Sequence, residues 1–91
     1  MELEWDENKR LANLQKHKID FVDSEAIFNG YTITLEDDSA NYSEQRFITF
    51  GKYQNIVAVI VHTERNENIR IISIRKATKN EARYYYETIS I

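Results

Sequence analysis

NIRIISIRKAT, residues 68–78, is an apolar run rich in isoleucine that carries an arginine near each end. Isoleucine suits the pleated, buried surface of a sheet, and the run is too short for a typical helix, so the pattern predicts a strand. A buried cation is costly unless it is paired or faces an anion. We therefore expect Arg70 and Arg75 either to form structural ion pairs or to line an anion site at the edge of the sheet.

The segments before this strand predict a meander of antiparallel strands. Residues 56–63 begin with an apolar run that has no polar face, which is typical of a strand in the interior of a sheet. Residues 46–50 form the preceding strand, and residues 51–55 have the length of a hairpin loop, with glycine available for a positive φ. Alternation over residues 31–35 predicts a half-exposed strand with Tyr31, Ile33 and Leu35 on one face. The polar residues 36–43 have no period and are predicted to form a loop.

The N-terminal third predicts one short strand and two short helices. Leu3 and Trp5 belong to the strand, and Asp6 is a plausible N-cap for a helix that ends at about His17. Asp20 is a plausible cap for a second helix. The predicted buried side of that helix consists of Phe21, Val22, Ala26 and Phe28. Asn29-Gly30 closes it, because both residue types tolerate the left-handed conformation found at helix ends.

A third helix is predicted to follow the isoleucine-rich strand. Thr78 and Glu81 have the spacing of a capping box, in which each side chain accepts a hydrogen bond from the other residue's backbone N–H. Its predicted packed side consists of Ala82, Tyr85, Tyr86 and Ile89. The fold class is therefore α+β, with one antiparallel sheet, two N-terminal helices and one C-terminal helix.

Length and composition favour one small domain that spans residues 1–91. A chain of 91 residues with 42% hydrophobic content can build one core but not two. It contains no cysteine, which suits a reducing cytoplasm. Its start is acidic and polar, unlike a signal peptide, and residues 56–61 are too few to span a bilayer. We expect a soluble, cytoplasmic protein that does not bind a membrane.

The charge is distributed unevenly along the chain. Residues 1–45 hold eleven acids and four bases, residues 46–64 one acid and two bases, and residues 65–91 three acids and six bases. The formal net charge is −3, which alone would argue against a nucleic-acid partner. Charges more than about 8–10 Å apart are largely screened at physiological salt, however, so a local basic region can still bind phosphate. A merely solvated charge asymmetry is the alternative interpretation.

The sequence lacks the common signatures of metal and cofactor sites. His17 and His62 occur without the spacing of a zinc site, and we expect no metal. The only two glycines, Gly30 and Gly51, form no phosphate-binding loop, so a nucleotide cofactor is not expected. Ser73 has no G-x-S-x-G context for a nucleophile. His62, at the end of an apolar strand, is more typical of a structural histidine than of a catalyst.

Residues near both ends of the sequence fit the pattern of one known family. At the C-terminal end they are Thr63-Glu64-Arg65, residues 69–73, residues 75–78, Glu81 and Tyr85, and at the N-terminal end they are residues 4–9, Asn13, Lys16-His17 and Phe21. In these residues the chain resembles the BrnT family of toxins. Arg46 and Gly51 also fit the pattern, which is weakest over residues 29–44. Three positions depart from it: Lys18 replaces a usual glycine, Ile74 a small residue, and Ala82 an arginine that could contact RNA.

The resemblance implies a RelE-like fold and a function. BrnT proteins resemble RelE-type ribonuclease toxins of type II toxin-antitoxin systems, so the implied activity is endoribonuclease cleavage of RNA that inhibits translation and needs no cofactor. The implied partner is a cognate ribbon-helix-helix antitoxin similar to BrnA, through which the complex binds its own promoter DNA. A toxin homodimer within a toxin-antitoxin heterotetramer would suit such a partner.

Cofactor-free RNA cleavage needs groups that move protons and groups that neutralise charge on the phosphate. Together with the family pattern, residue chemistry nominates Arg46, Arg70 and Arg75 for the phosphate, Lys16, His17 and Tyr85 for proton transfer, and Arg65, Lys76 and Lys79 for further RNA contacts. In an unbroken strand Arg70 and Arg75 point in opposite directions. Either one of them acts alone, or a bulge or strand end turns Arg75 towards the same cleft.

Two other classes of function fit the same residues. In a non-enzymatic binding module, the cations would hold RNA or DNA phosphate and the tyrosines would stack on bases. In an interaction domain, the basic strip would bind only an acidic protein. Incubation of the antitoxin-free protein with RNA separates the three, because only an enzyme degrades RNA and only a binder shifts it intact.

Overall fold

The computed structural model describes residues 2–38 and 43–90, which form one five-stranded sheet and three α-helices. The strands are β1 (Leu3–Trp5), β2 (Thr32–Asp37), β3 (Arg46–Tyr53), β4 (Ile56–Arg65) and β5 (Asn68–Lys76). The helices are α1 (Glu7–His17), α2 (Ser24–Phe28) and α3 (Lys79–Ile89), and a 3₁₀ turn (Phe21–Asp23) precedes α2. Within the described ranges, no helix is long and apolar enough to cross a membrane.

The strand order is β1-β5-β4-β3-β2, so β4 lies in the middle of the sheet as its apolar sequence predicts. The prediction of a purely antiparallel sheet is wrong, because β1 pairs in parallel with β5. The chain between these two strands is long enough for the crossover that a parallel pair requires. Sequence periodicity cannot reveal this pairing, since it reports the exposure of a strand and not its neighbours.

Hydrophobic side chains cover both faces of the sheet. On the α2 face, Phe21 and Ile27 pack against Ala58, Ile60 and the buried isoleucines of β5. On the α3 face, Tyr85 packs against Phe50, Val57 and Val59. Helix α3 therefore covers this face of the sheet only near the start of β4.

A bulge in β5 sets the direction of the arginine side chains. Ser73 lies opposite Val61 and Ile71 lies opposite His62, which leaves Ile72 as an extra residue. The bulge shifts the alternation, so that Ile71 and Ile74 both reach the core on the α2 face. Arg70 and Arg75 consequently both lie on the α3 face, opposite Thr63 and Val59 respectively. The bulge left open by the sequence is present and puts the two arginines on one face, but Arg75 does not line the same cleft as Arg70.

The hairpin between β3 and β4 is tighter than the sequence predicts. β3 continues through Gly51 to Tyr53, and the turn consists of Gln54 and Asn55, with Gln54 at a φ of 53°. Gly51 does not have a positive φ. Its role is steric, because a Cβ atom at this position would lie 2.5 Å from Cγ2 of Ile27. The expectation that Gly51 belongs to the loop is therefore wrong.

The second helix is also displaced from its prediction. Asp20 caps the 3₁₀ turn by accepting a hydrogen bond from the backbone N–H of Val22, and α2 begins only at Ser24. The tighter turn changes the phase of the following helix, so Val22 and Ala26 are exposed. Phe21, Ser24 and Ile27 are buried instead. Asn29 is right-handed, contrary to the expected left-handed closure.

The ends of α1 and the start of α3 agree with the sequence. Asp6 caps α1 through the N–H of Lys9, and the capping box of Thr78 and Glu81 is present at the start of α3. Lys18 closes α1 with a φ of 64°, the left-handed conformation that glycine adopts at lower cost.

Two predicted apolar faces are more exposed than expected. Tyr86 and Ile89 are exposed because the last turns of α3 extend beyond the residues that Tyr85 contacts in the sheet. Tyr31 is exposed and precedes β2, and Leu35 is also exposed on that edge strand. Residues 36–37 belong to β2, and residues 39–42 of the predicted loop lie outside the described part of the chain.

Candidate functional site

A polar cleft of about 150 Å³ lies on the α3 face, where α3 leaves the sheet uncovered. Its lining consists of Lys9, Ser43, Glu44, Arg46, Thr63, Arg65, Arg70 and Ile72. The strand register explains why distant residues meet here: Arg46 is opposite Thr63, and Thr63 is opposite Arg70. Residues in such positions have Cβ atoms about 4.5–5.5 Å apart. Two arginines thus flank one threonine across the three inner strands.

This row of residues continues to both edges of the sheet and ends in a carboxylate on each side. Asp37 lies opposite Arg46, and Glu4 lies opposite Arg70. Nη1 of Arg70 is 3.7 Å from Oε1 of Glu4, which is an ion pair but too long for a hydrogen bond. The carboxylate of Glu4 therefore holds the Arg70 guanidinium only loosely, so an anion with better geometry can compete for it.

Thr63 lies in the floor of the cleft and is only 5% exposed. Its Oγ1 atom is buried and has no hydrogen-bond partner among the described residues. A buried hydroxyl normally has a partner, and it can donate one hydrogen bond and accept others. This unused hydroxyl therefore lies beneath the floor of the cleft, between two guanidinium groups, and would meet a ligand oxygen only after the Thr63 side chain rotates.

Glu44 is the carboxylate among the residues that line the cleft. Nε of Arg65 donates to Oε2 of Glu44 at 2.9 Å, and Nη2 of Arg65 donates to Oε1. The hydrogen bonds from Arg65 lower the pKa of Glu44, and the nearby charges of Arg70 and Arg46 add to this effect. Glu44 is therefore an oriented, ionised carboxylate in a cleft that also contains four cations, namely Lys9, Arg46, Arg65 and Arg70.

Arg75 shares a face with Arg70 but is not part of the cleft lining. Its Nη1 and Nη2 donate to the carboxylate of Glu81 at 2.7 Å and 2.9 Å. These hydrogen bonds are the main reason why the pKa of Glu81 falls to about 2, and Glu81 also accepts from the N–H of Thr78. In this structure Arg75 joins the first turn of α3 to the sheet.

The three residues predicted for proton transfer also lie away from the cleft lining. Tyr85 is 2% exposed, and its hydroxyl donates to the backbone oxygen of Tyr31 at 2.8 Å. Burial raises the pKa of Tyr85. Lys16 and His17 occupy the last turn of α1, and Lys16 lies about 10 Å along the helix axis from Lys9. The catalytic roles of these three residues stay predictions.

The predicted RNA contacts divide in the same way. Arg65 lines the cleft, whereas Lys76 is exposed at the far end of β5 and Lys79 is exposed at the start of α3. Of the nine residues nominated from sequence, the structure brings together Arg46, Arg65 and Arg70.

Lys9, Glu44 and Thr63 also line the cleft, although no pattern in the sequence indicated them as site residues. Thr63 is a neutral residue inside a strand, and only the strand register shows that it separates Arg46 from Arg70. Glu44 belongs to an acidic segment far from Arg65 in sequence, so no local pattern indicates their pairing. Lys9 is one of several polar residues on α1.

His62 lies on the opposite face and has a structural environment. Its ring packs between Phe28 and Phe47, with centroid distances of 5.3 Å and 5.8 Å. Nε2 is hydrogen-bonded to Oγ1 of Thr49 at 2.8 Å, and burial lowers the pKa of His62 to about 4. Over residues 2–38 and 43–90 no cluster of histidine and carboxylate side chains is arranged to hold a metal ion.

The fold and the cleft define a small α+β protein with a cluster of cationic side chains at the ends of three antiparallel strands. A family model described as the ribonuclease toxin BrnT of type II toxin-antitoxin systems matches residues 5–81. Because the match spans most of the 91 residues, the chain belongs to the BrnT family of ribonuclease toxins, which confirms the resemblance found in the sequence. A search of curated proteins gave no match.

Proposed function

We propose that this protein is an endoribonuclease that cleaves RNA without a metal ion, inhibits translation by doing so, and is neutralised by a cognate antitoxin. Membership of a ribonuclease toxin family supports the reaction class. The observation that carries the proposal is the row Arg46-Thr63-Arg70, which places two guanidinium groups beside a buried hydroxyl that has no hydrogen-bond partner among the described residues.

The cations of the cleft suit a phosphate whose charge rises during the reaction. Attack of a ribose 2′-oxygen on the adjacent phosphorus gives a phosphorane with more negative charge than the phosphodiester. Arg46 and Arg70 would hold its oxygens from two sides, and the Thr63 hydroxyl would donate between them after its side chain rotates. Donors that are already in place when charge develops lower the barrier most effectively.

Glu44 is a candidate for the general base. Its carboxylate would accept the proton of the 2′-hydroxyl as the 2′-oxygen bonds to phosphorus. The bond from phosphorus to the 5′-oxygen then breaks, and that oxygen needs a proton, which the ammonium of Lys9 could donate. Lys16, His17 and Tyr85 remain the alternative candidates for these two steps.

The assignment to a type II system supports a protein antitoxin as the partner. We propose a ribbon-helix-helix antitoxin that carries the promoter-binding surface of the complex, since residues 1–45 of the toxin are strongly acidic and would add little to DNA affinity. A heterotetramer with two toxin chains and a cytoplasmic location fit this partner.

The test is incubation of purified, antitoxin-free protein with RNA in the presence of EDTA. The expected products carry a 2′,3′-cyclic phosphate and a 5′-hydroxyl, and a 2′-deoxy substitution at the cleavage site abolishes cleavage. Glu44→Gln should slow cleavage at least about 100-fold if Glu44 is the base. Glu64→Gln, on an exposed residue outside the cleft, is the matched control.

Each other outcome of this assay selects a different function. RNA that is shifted but intact would replace the proposal with a binding module, and protein that neither binds nor cleaves RNA would leave an interaction domain. Cleavage that stops in EDTA and returns with Mg²⁺ would overturn metal independence. Full activity of Glu44→Gln would return the proton-transfer role to Lys16, His17 or Tyr85.

A further inference from the structure

We propose that a groove between β1 and α2 is the surface on which the antitoxin docks, and that it receives a segment with apolar side chains flanked by lysine or arginine. This inference rests on the proposed neutralisation by an antitoxin. It concerns a surface separate from the RNA-binding cleft. The groove is named the β1–α2 groove below.

The β1–α2 groove has a volume of about 550 Å³. Its apolar lining consists of Leu3, Trp5, Val22 and Phe28, and its polar lining of Glu2, Glu25 and Asn29. The ring of Trp5 packs edge-on against buried Phe21 at 6.2 Å, which fixes the groove wall to the core. Val22 is 54% exposed, because the 3₁₀ turn directs it away from the core. The groove is therefore a largely apolar depression of a size that holds several side chains.

Its charge indicates the chemistry of the occupant. Glu2 and Glu25 are exposed, and none of the residues from the described part of the chain that line the groove is a cation. Such a surface repels RNA phosphate and attracts a positively charged partner. Apolar anchors flanked by basic residues are the pattern of an amphipathic segment that lies in a groove.

The groove and the cleft lie on opposite faces of the sheet. Leu3, Trp5 and Phe28 pack against the core on the α2 face, whereas Thr63 and Arg70 belong to the α3 face. A partner segment that fills the groove therefore does not itself occupy the RNA-binding cleft. Substitutions in the groove should therefore alter antitoxin affinity and leave RNA cleavage by the free toxin unchanged.

The first experiment measures binding of the purified cognate antitoxin to toxin variants by calorimetry. Val22→Asp places a charge in the apolar lining and should weaken binding at least about tenfold. Leu11→Asp is the matched control, because Leu11 is similarly exposed at 50% but lies outside the groove. Glu25→Lys should also weaken binding, with Glu87→Lys on α3 as its control, and added salt should weaken binding of the parent.

The second experiment uses the absence of cysteine from the chain. Val22→Cys introduces a single thiol in the groove, and Leu11→Cys introduces one outside it. Mass spectrometry then follows alkylation of the toxin with and without the antitoxin. We expect the antitoxin to slow alkylation at Cys introduced in place of Val22 at least about tenfold, because a fully buried interface residue excludes solvent.

Several results would overturn the inference. One is equal antitoxin binding by Val22→Asp and Leu11→Asp together with equal alkylation of both thiols in the complex. Another is sedimentation that shows the free toxin to be a dimer which Val22→Asp converts to a monomer, since the groove would then hold a second copy. Failure of the parent toxin to bind the antitoxin would also overturn it. A parent toxin that binds the antitoxin but does not cleave RNA would contradict the function proposed for the cleft, and would leave the inference about the groove standing.

Discussion

The carboxamide of Asn13 pairs with the backbone of Ile74 as a neighbouring strand would. Nδ2 of Asn13 donates to the backbone oxygen of Ile74 at 2.9 Å, and the N–H of Ile74 donates to Oδ1 of Asn13 at 3.1 Å. β1 pairs with β5 only as far as Ile71, so Asn13 satisfies backbone groups on the edge of β5 beyond the end of β1. One side chain of α1 thereby completes an edge of the sheet.

Asn13→Ala should therefore lower the free energy of unfolding by about 2–3 kcal/mol, because buried backbone groups of Ile74 lose their partner. Nδ2 of Asn13 also donates to the backbone oxygen of Ile19, so that bond is lost as well. Urea unfolding followed by circular dichroism measures the change. Asn8→Ala, at an exposed position on the same helix, is the control. Identical unfolding midpoints for the two variants would contradict the role assigned to Asn13.

The two arginines of β5 should respond differently to alanine. Arg70→Ala removes a cleft cation and should slow RNA cleavage about 10²–10³-fold, with little loss of stability because its contact with Glu4 is long. Arg75→Ala removes the ion pair with Glu81 and should lower stability by about 1 kcal/mol, since both side chains are partly exposed. Cleavage assays below the unfolding temperature and thermal melts of both variants test this. Normal cleavage by Arg70→Ala with none by folded Arg75→Ala would reverse the assignment.

His62 should make stability fall as the solution becomes acidic. Burial lowers its pKa from 6.5 to about 4, so the folded state favours the neutral ring. The neutral His62 ring makes its full contribution to the free energy of unfolding above pH 6.5. As the pH falls from 6.5 towards 4, the free energy of unfolding decreases by about 3 kcal/mol in total. The contribution of Glu81 is lost only below about pH 4.5, so the interval above that value isolates His62.

Urea unfolding at several pH values between 4.5 and 7 measures this effect. His62→Phe should flatten the pH dependence over the interval, whatever its effect on absolute stability. His17→Phe is the control for the loss of one imidazole, since His17 lies at the end of α1. A pH dependence that persists in His62→Phe and disappears in His17→Phe would assign it to the other histidine.

Gly51→Ala should destabilise the protein, because the added Cβ atom would lie 2.5 Å from Cγ2 of Ile27 and 3.2 Å from Cγ2 of Thr32. Extra methyl groups in a packed site typically cost about 1–3 kcal/mol. Gly30→Ala is the matched control, since its Cβ would lie 3.6 Å from the backbone oxygen of Ile27, an ordinary van der Waals distance. Thermal unfolding compares the two variants. An equal effect of both substitutions would show that the contact with Ile27 is not the cause.

Local patterns in the sequence were sufficient to locate most elements. The N-cap at Asp6, the capping box of Thr78 and Glu81, and the interior position of residues 56–61 are all present in the structure. Caps and hydrophobic periods act over a few residues, so they can be recognised without knowledge of the rest of the chain. The family was likewise recognisable, because its motifs are spread over both ends of the chain.

The composition of the cleft, by contrast, depends on contacts between distant segments. The bulge at Ile72 places Arg70 and Arg75 on one face. Glu81 in the first turn of α3 then accepts hydrogen bonds from Arg75 and holds that side chain away from the cleft. Arg65 reaches Glu44 across 21 positions in the sequence. Packing of the whole chain determines the strand register, the parallel pairing of β1 and the direction of the bulge. The alternation of residues within a single strand carries no information about these features. The sequence therefore supplied the cations, and packing selected which of them share a cleft.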